Sequence, residues 1–260
     1  MGIFKAADYV DVYRIKAKSK RLETMADRDR ESTDYINDII IKDLNISSQD
    51  KILDIGCGDG SLLASLAFKI ISGFGTASTQ EEVLRLKAAH QYQNVDFGQS
   101  LTHSLAFPDQ SFDKVVCNSV LLILKTREEL VASIKEIYRV SKPSAMVYLG
   151  EIMIVDELVN ARRDYGDSLT KWLIFVLKNR GFQPFVSGLK LLIKSLFSSE
   201  PFIITPKTPL VISENDFIHL CESLGFAIIK KDIHRVLDFK GKVKIMPTRM
   251  NFVFSKRASL

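Results

Sequence analysis

The stretch Lys51-Ile52-Leu53-Asp54-Ile55-Gly56-Cys57-Gly58-Asp59-Gly60 decides how the rest of the chain is read. Its apolar residues Ile52, Leu53 and Ile55 form a short run, the pattern of a strand buried on both faces of a parallel sheet. Glycines then alternate at Gly56, Gly58 and Gly60. Glycine admits positive φ and has no Cβ, so at the carboxyl end of such a strand the backbone can turn sharply and approach a ligand closely. The following run, Ser61 to Ala67, reads as a helix starting at the turn, with its unpaired N–H groups directed at whatever the loop holds.

Working outward, strands are expected at Ile70 to Phe74, Val95 to Phe97, Phe112 to Cys117 and Met146 to Leu149. Helices are expected between them at Gln80 to His90 and Arg127 to Val140, the latter carrying Leu130, Ile134 and Ile137 inward. Strands alternating with helices imply a doubly wound, mostly parallel sheet with right-handed crossovers. Ligands of such sheets sit beyond the carboxyl ends of the strands, so the glycine loop, the residues after Phe74, Asn118 and Glu151 should converge. Near the end, Ser213 caps a helix with Phe217, Ile218, Leu220 and Leu224, stopped by Gly225. Strands six (Phe226 to Ile229) and seven (Asn251 to Phe254) have no helix between them. An antiparallel pair should therefore close the sheet, joined by a loop holding His234, Arg235 and Arg249.

With 260 residues, 46% of them hydrophobic and 26% charged, the chain is long and apolar enough for one large α/β domain over 1–260. Residues 1–50 form an N-terminal helical segment with two readings: a solvated charged face, or a lid whose Tyr9 or Tyr13 touches the ligand. Residues 152–212 form a helical insert between strands five and six. It has no acidic residue from Ser168 to Ser199 but carries Lys171, Lys178, Arg180, Lys190 and Lys194. Leu189, Leu192, Ile193, Leu196 and Phe197 recur at helical spacing, so the insert either packs its apolar side on the sheet or a second subunit, or forms a peripheral membrane contact through 171–197. No apolar run approaches the ~20 residues of a membrane span.

The net charge of +5 is too small to indicate nucleic acid, though it favours anionic partners. Cys57, Cys117 and Cys221 are odd in number and far apart, which points away from a disulfide framework and toward a reducing, cytoplasmic setting. The first residues lack the apolar core of an export leader, and Ala6 stands where a myristoylation signal wants Ser or Thr. No His, Cys and Asp have metal-ligand spacing, so no metal is expected.

A dinucleotide fingerprint would need glycine at 61, where Ser61 stands, and a P-loop would need a Gly-Lys pair that is absent. The form present, Asp54-x-Gly56-x-Gly58-x-Gly60 after an apolar strand, resembles motif I of the class I S-adenosylmethionine-dependent methyltransferases. Phe107-Pro108-Asp109-Gln110-Ser111-Phe112-Asp113 is similar to the family's entry into strand four. Glu136-Ile137-Tyr138-Arg139-Val140-Ser141-Lys142-Pro143 is similar to its turn before strand five. A looser resemblance, over 150 to 256, is to methyltransferases of bacterial surface-polysaccharide biosynthesis.

The family resemblance implies a Rossmann-like seven-stranded sheet whose last strand is antiparallel, and S-adenosylmethionine as cofactor. It implies that Asp54, Gly56, Cys57 and Gly58 line the methionine end of that cofactor. The family's ribose-binding acid falls on Gly75 and its adenine-side acid near Leu101, so both carboxylates are replaced, with Thr76, Thr102 and Asn118 as further cofactor contacts. Methyl transfer itself needs alignment and, for a hydroxyl acceptor, a proton acceptor. His234 and Glu151 are the candidates; His90 and His219 read as helix-surface residues. Two functions follow: methylation, at oxygen, of a glycan or small metabolite, with a homo-oligomer as one assembly, or a catalytically silent relative that binds a partner.

Overall fold

The computed structural model describes residues 3–5, 9–17, 30–154, 202–204, 210–238 and 240–257, with 174, 177–178, 182, 185–186 and 189. The expected insert over 152–212, and with it the membrane contact proposed for 171–197, lies for the most part outside these residues. Among the described residues no helix is long and apolar enough to cross a membrane.

The sheet is built from β1 (Lys51–Ile55), β2 (Ser72–Ala77), β3 (Val95–Gln99), β4 (Phe112–Asn118), β5 (Ser141–Met153), β6 (Phe226–Leu237) and β7 (Val243–Lys256). Its order is β3-β2-β1-β4-β5-β7-β6. The first five strands run parallel, and β7 is antiparallel to both neighbours. Leu53 lies opposite Phe74 on one side and Val115 on the other, so β1 is central and its end falls where the strand order reverses. A separate pair joins Ile3–Lys5 to Phe202–Ile204 in parallel.

Period-two alternation sends the β1 side chains to opposite faces. Ile52 packs with Ile40 and Leu44 of α2 (Arg30–Leu44), Leu63 of α3 (Ser61–Leu66) and Leu86 of α4 (Gln80–Ala89). Leu53 and Ile55 pack with Ile134 and Ile137 of α5 (Arg127–Val140) and Phe217 of α6 (Glu214–Ser223). One further helix, α1 (Tyr9–Ala17), lies over the carboxyl ends of the strands. The helix starts follow from side-chain caps. Thr126 Oγ1 accepts from the Glu129 amide and Ser213 Oγ from the Asp216 amide, and at α4 a reciprocal capping box joins Thr79 to Glu82.

Most strands of the sheet run further than the sequence reading. β2 runs to Ala77 rather than Phe74, and β5 spans 13 residues. The expected loop holding His234, Arg235 and Arg249 does not exist. All three lie within β6 and β7, and the true connection is a tight turn in which the Asp238 amide donates to Lys242 O (2.8 Å) and Gly241 takes φ 70°. Half-buried polar residues had masked the two strand extensions, because their alternation is weaker than that of the core pair Phe252 and Phe254.

The Glu136-x-x-Arg139 pair is a brace. Arg139 bonds both oxygens of Glu136, Asp109 Oδ1, and the carbonyls of Leu105 and Phe107 (2.6 Å), while Glu136 Oε2 also accepts the Leu105 amide (2.8 Å). The guanidinium in turn holds the Glu136 carboxyl below its usual range. This network ties the loop after β3 to α5 and so fixes one rim of the site.

Candidate functional site

The carboxyl ends of the parallel strands border a cavity of about 840 Å³, within the range of small-molecule sites. Its first wall is the glycine loop. Gly56, Gly58 and Gly60 take φ values of 67°, 57° and 77°, which L side chains adopt only with strain. A Cβ on Gly56 would meet Val120 Cγ2 at 2.5 Å, whereas one on Gly58 would meet nothing within 4 Å. The first glycine is thus required by packing, and the second leaves open space. The loop is held from below: the Cys57 amide donates to Thr76 O (2.9 Å), the Gly56 amide to Thr76 Oγ1 (3.1 Å), and the Ser61 amide to Asp59 Oδ1 (3.0 Å). His90 Nε2 lies 2.7 Å from Asp59 O, so this histidine clamps the loop rather than facing solvent from its helix.

Acidic charge gathers behind the loop. Burial, then the nearby Asp59, pushes the Asp54 carboxyl up from 3.8 to about 7. Burial and the carboxylates of Asp54 and Glu82 push the Cys57 thiol well above its ordinary value, so this thiol is an inert lining group.

The opposite wall is a side-chain network at the ends of β4, β5 and β7. Ser119 and Glu151 are both non-glycine residues at positive φ (61° and 60°). Such strain persists only where the surroundings enforce it. Here Ser119 Oγ and Arg249 Nη1 both bond the Glu151 carboxylate, the Ser119 amide donates to Gly150 O (3.2 Å), and the Glu151 amide donates to Asn251 Oδ1 (3.0 Å). Glu151 is only 1% exposed yet lines the cavity. Tyr9, Val10 and Tyr13 of α1 and Ile40 of α2 also line the cavity.

Of the residues singled out from sequence, Asp54, Gly56, Cys57, Gly58, Leu101, Thr102, Asn118 and Glu151 line this one cavity. Gly75 and Thr76 lie outside its wall. A Cβ at Gly75 would run into the Phe97 ring (2.6 Å) and Cys57 Sγ (2.8 Å), and Thr76 is spent supporting the loop. The strand end that faces the cavity is Ala77, because β2 runs further than expected. His234 is also off the wall: it stands behind Glu151, with Nε2 3.6 Å from Oε1 and Nδ1 3.2 Å from Asn251 Oδ1. Among the described residues no cluster could hold a metal ion.

Residues 53–149 match the family described as a methyltransferase domain. Over this stretch the chain resembles the class I methyltransferases. A demethylmenaquinone methyltransferase from Chlorobaculum parvum is 34% identical over 106 residues, covering 41% of this chain and 42% of that protein, so the chain spans less than half the length of this relative. A methyltransferase from Methanosarcina mazei superposes with a TM-score of 0.59 at 22% identity, covering 85% of this chain and 98% of that one. The N-methyltransferase NodS from Bradyrhizobium japonicum, solved in complex with S-adenosyl-L-homocysteine, superposes with a TM-score of 0.58 at 10% identity, covering 95% and 97%. These two likenesses carry the fold.

Sequence reasoning missed two residues on the loop side of this site. One is His90, whose role depends on a contact across 31 positions that no local pattern reveals. The other is Glu82, which is 6% exposed and lines the cavity from the first turn of α4. Its signal was available: Thr79-x-x-Glu82 is a capping-box spacing, and it places the start of α4, hence the end of β2, where the structure has them.

Proposed function

We propose that this chain is an S-adenosylmethionine-dependent methyltransferase acting on the hydroxyl of a small acceptor with an apolar body. The observation that carries the reading is the glycine loop with three positive-φ glycines facing, across one cavity, a carboxylate held in a strained backbone. The residues present fit the cofactor: the loop leaves backbone-lined space at Gly58, and acidic groups stand behind it. When bound, S-adenosylmethionine supplies a methyl group already activated on its sulfonium.

In this reading Asp54, Gly56, Cys57 and Gly58 hold the methionine end, and Leu101 and Thr102 hold the adenine side. The acidic surroundings of Asp54 favour the positive sulfonium over its neutral product. Glu151 accepts the acceptor's hydroxyl proton, and Ser119 and Arg249 keep the carboxylate aimed at the cavity. His234, set behind Glu151, positions it. Asn118 borders the space between cofactor and acceptor.

The acceptor class rests on the wall near Val120, Leu122, Ile123 and Leu124, joined by Val10 and Ile40 from the covering helices. This lining suits a ring or chain of low polarity better than a glycan, whose many hydroxyls would be left without partners. The relative that acts on demethylmenaquinone supports the same class.

Calorimetry with S-adenosylmethionine and S-adenosylhomocysteine tests the reading, with micromolar binding of both as the expected result. Absence of binding, with no cofactor found by mass spectrometry of the purified protein, overturns it. Binding without turnover of any hydroxylated aromatic or quinol acceptor points instead to a silent relative.

A further inference from the structure

The two carboxylates that the family resemblance places at Gly75 and Leu101 are absent, yet the cavity contains a carboxylate that nothing so far has used. Glu82 reaches the cavity from the third residue of α4, beside Ala77 and Ser78 at the end of β2. All of its side-chain hydrogen bonds fall on one oxygen: Oε2 accepts from Ser78 Oγ (2.9 Å), the Thr79 amide (2.9 Å) and Thr79 Oγ1 (2.8 Å). Among the described residues no donor reaches Oε1.

That division is unusual for a purely structural cap. A capping box needs one acceptor oxygen at this position, which a glutamine provides as well as a glutamate. Oε1 is not sealed off: it opens to the cavity, where a ligand donor can take the place of water. Ala77 lines the cavity at the strand end with only a methyl group, whereas a side chain at Gly75 would meet Phe97 and Cys57.

We infer that Glu82 is a ligand-binding carboxylate whose Oε1 accepts hydrogen bonds from the vicinal hydroxyls of a nucleoside ribose. The acid has in effect moved from the strand to the first turn of the following helix, and the capping box fixes its rotamer. Ser78 and Thr79 immobilise one oxygen so that the other stays aimed at the diol. This inference rests on the proposed use of an adenosyl cofactor at the same cavity.

The test compares S-adenosylhomocysteine with its 2′-deoxy analogue by calorimetry, in the unmodified chain and in Glu82→Gln. A hydrogen bond to a charged acceptor sets the expected gap, roughly ten- to hundredfold tighter binding of the ribose form in the unmodified chain. Glu82→Gln keeps the cap, retains a melting temperature close to that of the unmodified protein, and loses most of the gap. Thr79→Ala is the folding control: it removes the cap hydroxyl and lowers the melting temperature, yet narrows the gap less than Glu82→Gln does, because Ser78 Oγ and the Thr79 amide still hold Oε2. Equal binding of the two ligands by the unmodified chain overturns the inference without any variant. A gap that survives unchanged in Glu82→Gln overturns it too, with the methyltransferase reading left standing. Failure of the unmodified chain to bind either ligand overturns both.

Discussion

The two walls of the cavity are built by different means. On the β1–β2 side the shape is set by backbone: positive-φ glycines, amides donated to Thr76, and His90 pinning the Asp59 carbonyl. On the β4–β5–β7 side it is set by side chains that hold each other, with Ser119 and Arg249 on Glu151 and Asn251 linking Glu151 to His234. A backbone wall serves a ligand whose shape is fixed, while a side-chain wall can be changed one residue at a time. On the proposed function, cofactor holding falls to the first wall and acceptor chemistry to the second.

The largest effect is expected at Glu151. In Glu151→Gln the shape is kept and the proton acceptor is lost, so kcat should fall by about 10²- to 10⁴-fold, the usual contribution of a general base. Affinity for S-adenosylhomocysteine should stay within about twofold, since that ligand sits on the other wall. Parallel losses in kcat and in calorimetric affinity would erase the division.

Asp54 comes next and carries opposite signs for stability and binding. Its carboxyl titrates near 7 in the folded protein against 3.8 as a reference. The folded state therefore holds the proton more tightly, and this contribution to stability is present below 3.8 and lost as pH rises toward 7. Full ionisation opposes folding by an amount on the order of 4 kcal/mol. Asp54→Asn should then raise stability at pH 8 in urea denaturation and leave it little changed at pH 4. The same variant should bind S-adenosylmethionine less tightly relative to S-adenosylhomocysteine. A variant that is less stable at pH 8 contradicts the assignment of burial as the main cause.

How much of this contrast was legible in the sequence follows from how each wall is built. Glycines at alternate positions after an apolar strand declare a backbone turn by themselves, so the first wall could be read from Gly56 to Gly60. The second wall joins Ser119, Glu151, His234, Arg249 and Asn251, which four strands bring together from positions more than a hundred residues apart. Glu151 could be named from its place after an apolar strand, but its partners could not. The error at Gly75 has a similar origin: an apolar run ending at Phe74 hid the last turnless residues of β2, and only the cap at Thr79 would have corrected it.

A smaller effect separates two glycines within the first wall. Both Gly56→Ala and Gly58→Ala force an L side chain to positive φ, which costs about 1 kcal/mol or more. Only at Gly56 does the new methyl also collide with Val120. Gly56→Ala should therefore be the more destabilised of the pair by about 1–3 kcal/mol in chemical denaturation, the range for overpacking. Val120→Ala should recover most of that difference for Gly56→Ala and none for Gly58→Ala.

The smallest effect is expected at His234, and its argument rests on hydrogen-bond directions. Asn251 Oδ1 accepts the Glu151 amide, so the His234 Nδ1 that also approaches it acts as a donor. Its Nε2 then faces Glu151 Oε1 at 3.6 Å, so the ring backs the carboxylate on the side away from the cavity. His234 does not line the cavity, so it acts on the acceptor only through Glu151. In His234→Gln, kcat should drop by about tenfold with the acceptor KM unchanged, as for second partners that orient a catalytic group. A drop in kcat matched by an equal rise in the acceptor KM would make His234 a packing residue of the second wall and leave Ser119 and Arg249 to orient the carboxylate.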